Sequence, residues 1–181
     1  MPDPADRDLA LIAALPSLTA LLRHRAATQP DDRAYVALSD RGGEESAITF
    51  AELDRRAAAL AAHIAKRAEP GARALLLFPI GIDCLVAFFA CLYADVIAVP
   101  MMVPRRQSTR DASSSILADC EPRLALTTQE LLSGMRGDLV GRLDYAGLEW
   151  LAVDDTAERA AEAHPGPQAE CRMAALPRDR R

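Results

Sequence analysis

The sequence predicts an α/β chain, a mostly parallel sheet with helices on both faces. Short apolar runs at 72–78, 96–99, 124–127 and 148–153 alternate with helix-patterned segments. Successive strand–helix–strand units of this kind fold as a parallel sheet covered by its own crossovers. The run Ala72–Phe78 (ARALLLF) is almost continuously apolar, the form expected of a strand buried on both faces rather than one.

Each element has a local reason. Ser17 precedes Leu18, Leu21 and Leu22, with Pro30 beyond, which predicts an N-capped helix over 18–27. Residues 34–38 (AYVAL) and 47–50 flank the turn Asp40-Arg41-Gly42-Gly43 and predict a hairpin. Thr49 and Glu52 have capping-box spacing, and behind them Leu53, Ala57, Leu60 and Ile64 mark one helical stripe that Pro70-Gly71 ends. Asp83 is placed to cap a helix over 84–94, apolar almost all round and therefore buried. Val96–Val99 follows as a strand closed by Pro100, then a loop with Pro104-Arg105-Arg106 and a helix ending near Cys120-Glu121-Pro122. Leu124–Thr127 is a strand, Thr127–Glu130 repeats the capping box, and Leu148–Val153 is the last strand.

Composition narrows the function. The chain has 181 residues, half of them apolar, a formal charge of −5 and 4% aromatics. That length supports one domain, burying roughly 70% of its unfolded surface. A mild acidic balance with few aromatics excludes nucleic acid as the expected partner. The start carries Asp3, Asp6, Arg7 and Asp8 and has no secretory pattern, so the cytoplasm is expected. The longest charge-free apolar run, Cys84–Ala94, is well short of the ~20 residues of a membrane span.

Candidate chemistry is sparse. Cys84, Cys91, Cys120 and Cys171 form no C-x-x-C pair. Cys84 and Cys91, two helical turns apart, read as small core residues sharing a face with Phe88. His24, His63 and His164 lack the acid and nucleophile of a triad. Ligands of an open parallel sheet bind outside the carboxyl ends of its strands, which directs attention to Pro79-Ile80-Gly81, the loop from Pro100 through Pro104, Arg105 and Arg106, Thr127-Thr128 and Asp154-Asp155. Arg105 and Arg106 could clamp a phosphate or carboxylate, although a solvated loop reads equally well. Asp154-Asp155 could hold magnesium, but a helix cap leading into Thr156-Ala157-Glu158 is the favoured reading. No glycine-rich dinucleotide turn, phosphate loop or nucleophile elbow occurs. No catalytic, cofactor-binding or metal residue is therefore assigned; Pro100, Pro104, Arg105 and Arg106 are the substrate-side loop candidates.

Several segments taken together resemble the adenylate-forming superfamily, which includes acyl-CoA synthetases, luciferases and peptide-synthetase adenylation domains. They are Ile48-Thr49-Phe50-Ala51-Glu52-Leu53-Asp54, Arg73–Pro79, Ala87–Ala94 and Val99-Pro100. Phe78-Pro79-x-Gly81, the Phe88-Phe89 pair, Pro104-Arg105 and Glu121-Pro122-Arg123-Leu124 before Thr127-Thr128 look most like the fatty acyl-AMP ligases. The resemblance spans about residues 15–155.

It implies an enzyme that uses ATP and Mg2+ to turn a fatty acid into acyl-AMP and pyrophosphate, then passes the acyl group to an acyl carrier protein, commonly on a polyketide or peptide synthase. The family's phosphate loop and later catalytic motifs lie beyond the matched region, so the chain alone is expected to bind no cofactor and to be inactive. A truncated gene product is the leading expectation; half of a split ligase completed by a C-terminal partner chain, or a non-catalytic binding module, are the alternatives. Where the family usually has Gly after Tyr-Ala, this chain has Asp95. Pro is usual at Ile80, and a Tyr-Pro where Met101-Met102-Val103 stands. The expected organisation is a tail over 1–16, a partial AMP-binding domain over 17–155, and a non-homologous, disordered tail over 156–181.

Overall fold

The computed structural model describes residues 14–39, 41–79, 81–103, 112–135 and 147–154. Helix α1 is Leu18–Thr28, and the Ser17 hydroxyl accepts from the Ala20 amide at 3.1 Å, the cap its sequence calls for. Strands β1 (Arg33–Leu38) and β2 (Glu44–Thr49) form the expected hairpin. Gly42 takes φ 79° at its turn, a left-handed conformation that glycine adopts without strain. The second strand begins earlier than predicted, and Phe50 opens helix α2 (Phe50–Ile64) instead of ending the strand. Thr49 decides that boundary, because its hydroxyl accepts from the Glu52 amide at 3.2 Å. The stripe Leu53, Ala57, Leu60 and Ile64 is at most 2% exposed.

Strand β3 (Arg73–Leu77), helix α3 (Ile82–Tyr93), strand β4 (Ile97–Met101), helix α4 (Ala112–Cys120), strand β5 (Leu124–Thr127), helix α5 (Gln129–Met135) and strand β6 (Glu149–Ala152) follow in order. The four strands make a wholly parallel sheet in the order β4-β3-β5-β6. The chain steps outward from β3 to β4, then crosses back over β3 to β5 and continues to β6. Crossovers of one hand put helices on opposite faces when the direction of travel reverses, and the packing follows that rule. Ala74, Leu76, Leu124 and Leu126 enter the larger core with α2 and α3, whereas Leu75, Leu77 and Ala125 pack with Leu117 of α4. Strands β3 and β5 are thus covered on both sides, which for β3 is what the unalternating run 72–78 predicts.

Three local expectations are corrected. Asp83 does not cap α3; the N-cap is Gly81, with no side-chain bond. Asp83 lies in the first turn and accepts an ion pair from Arg56 of α2 at 2.7 Å, where its charge also complements the helix dipole. Pro100 does not close the strand but lies within β4, opposite Leu76. A residue without an N–H fits there because β4 is the outermost strand of the sheet. Thr127 does not cap the next helix; the Thr128 hydroxyl accepts from the Leu131 amide at 3.3 Å, leaving Thr127 for another partner.

Cys91 is buried in the larger core, and Cys84 and Phe88, half-buried, pack against it. Among the described residues no helix is long and apolar enough to cross a membrane.

Candidate functional site

The point where the strand order reverses lies between β3 and β5, and the crevice outside their carboxyl ends is where such sheets take ligands. The structure places Phe78 and Pro79 beyond β3, Thr127 and Thr128 at the end of β5, and Asp154 beyond β6. Most of the polar groups at this rim are engaged with the protein itself. The backbone ladder joining β3 and β5 includes the pair Leu76–Leu126. One residue further on, the fully buried Thr127 hydroxyl donates to the Leu77 carbonyl at 2.8 Å.

The expected cap leading into Thr156-Ala157-Glu158 lies outside the described residues, and Asp154 caps helix α5. Its two carboxylate oxygens lie 2.8 and 3.0 Å from the Gln129 amide, so it closes the start of α5 from 25 residues downstream. Asp155, the other half of the proposed magnesium pair, lies outside the described residues, as do Pro104, Arg105 and Arg106. Pro100 is exposed on β4. Among the described residues no three His, Cys, Asp or Glu side chains gather where they could hold a metal ion. Asp154 is engaged by a backbone amide and, among the described residues, has no further carboxylates gathered beside it for a magnesium ion.

A second polar cluster, which sequence reasoning missed, joins the three helices on the larger core. The Tyr93 hydroxyl of α3 donates to Asp54 of α2. The Arg23 guanidinium of α1 lies over the Tyr93 ring, 4.7 Å from its centroid, a cation–π arrangement. Burial, with the Asp54 hydrogen bond and charge behind it and Arg23 opposing, pushes the phenol well above its ordinary range. Partners 39 residues apart leave no local signal in the sequence.

The thiols are no better placed for chemistry. Burial pushes Cys91 up to about 12 and also raises Cys84 and Cys120, and a reactive cysteine needs the opposite shift. Among the described residues, the polar side chains at the rim of the crevice, Thr127, Thr128 and Asp154, are bonded to the protein's own backbone.

Comparison with known proteins identifies the family. The family described as AMP-binding enzyme matches residues 22–176. The chain is 35% identical over 143 residues to the medium-chain-fatty-acid–[acyl-carrier-protein] ligase JamA of Moorena producens, covering 76% of this chain and 24% of JamA. It is 32% identical over 130 residues to the long-chain-fatty-acid–AMP ligase FadD23 of Mycobacterium tuberculosis, covering 70% of this chain and 22% of FadD23. The crystal structure of the fatty acid AMP ligase from Legionella pneumophila superimposes with a TM-score of 0.68 at 28% identity, over 83% of this chain and 26% of that one. The chain thus spans between a fifth and a quarter of the length of these relatives, 22% of FadD23 and 24% of JamA. On these matches the chain belongs to the AMP-binding enzyme family, within the adenylate-forming superfamily.

Proposed function

We propose that this chain supplies the amino-terminal part of a fatty-acid adenylating ligase and contributes its scaffold rather than its reacting groups. In the complete enzyme a fatty-acid carboxylate oxygen attacks the α-phosphorus of ATP and pyrophosphate departs, giving acyl-AMP. A carrier-protein thiol then attacks the acyl carbonyl and AMP leaves. ATP and Mg2+ belong to that complete enzyme. The observation that carries this reading is the 35% identity over 143 residues to a ligase named for a fatty acid and a carrier protein.

The organisation we propose is a partial AMP-binding domain over 17–155, between a tail over 1–16 and a tail over 156–181. The family match as far as residue 176 weighs against the second boundary. Limited proteolysis with mass mapping tests it, since a true tail is cut before the domain. Cytoplasmic residence is proposed with the same reading.

The functional test is fatty-acid-dependent exchange of labelled pyrophosphate into ATP. Residues 1–181 alone are expected to give none. A chimera in which residues 17–155 replace the matching segment of a carrier-protein ligase is expected to restore exchange. Exchange by the chain alone would place the chemistry within it and overturn the scaffold reading. A folded chimera without exchange would overturn the family function.

A further inference from the structure

We draw no further inference here: the strongest candidate, the exposed apolar residues Ile97 of the outermost strand β4 and Met102 just beyond its end, carries nothing because nothing in the structure shows what covers them.

Discussion

The Thr127 hydroxyl donates to the Leu77 carbonyl at 2.8 Å across 50 residues of sequence. The bond ties the carboxyl ends of β3 and β5 together at the crevice where the strand order reverses. Thr127 is fully buried. Thr127→Val keeps the shape and leaves a buried carbonyl without this donor, so a loss of about 1–3 kcal/mol is expected. Thr127→Ser keeps the donor and is expected to lose less. Urea unfolding of the two variants checks the order; a valine variant as stable as the parent would show that the bond contributes nothing net.

Asp154 caps α5 from outside the helix's own segment. Asp154→Ala is expected to cost about 1 kcal/mol, the usual loss for a missing N-cap, and Asp154→Asn less, because one oxygen acceptor survives. Amide exchange at Gln129 reads the effect directly. Faster exchange in the alanine variant is expected, and unchanged exchange would remove Asp154 from the cap.

Asp95 sits at the turn from α3 into β4 with φ 54°, its carbonyl accepting from the Gly71 amide at 2.7 Å. The fatty acyl-AMP ligases resembled by this chain usually have glycine there, and the left-handed conformation is the physical reason. Aspartate tolerates that conformation better than most residues, and a β-branched residue tolerates it worst. Asp95→Val is therefore expected to be less stable than Asp95→Gly by about 1–2 kcal/mol. Thermal unfolding of the pair decides it, and equal melting temperatures would refute the strain.

Cys91 is fully buried in the larger core, and its thiol is raised from 9.0 to about 12. Its folded value lies above the unfolded one, so its contribution is whole below pH 9 and declines as pH rises from 9 towards 12. The unfolded chain releases the proton first, with a limiting slope of about 1.4 kcal/mol per pH unit. Cys91→Ala is expected to shed part of that slope between pH 9 and 10; the Tyr93 phenol, also raised from its ordinary value of 10.0, adds its own slope in the upper part of that range to parent and variant alike. Native-state alkylation at pH 8 should also spare Cys91 until urea is added. Rapid labelling of Cys91 in the folded protein would contradict its burial.

Much of the fold is legible because it rests on properties internal to a segment. The stripe Leu53, Ala57, Leu60 and Ile64 announces a helix and its buried face. The unalternating run at 72–78 announces a strand covered on both sides. Ser17 and Thr49 cap as read because their partners lie three residues away. The location of the crevice is legible too, since it follows from strand direction. Its furnishing is not: Thr127 and Asp83 each find a partner other than the local one their sequence suggests, and Asp154 takes one 25 residues away.

The sequence by itself determined the element types, the parallel sheet, the two-sided burial of β3 and the family resemblance. Only the tertiary structure decided the order β4-β3-β5-β6, the pairing of Arg56 with Asp83, the Arg23–Tyr93–Asp54 cluster and the destination of the Thr127 and Asp154 side chains. A short polar side chain has several acceptors or donors within reach in an unfolded segment. Which one it keeps depends on which backbone groups the assembled sheet and helices leave unsatisfied, and that is settled only when distant segments meet.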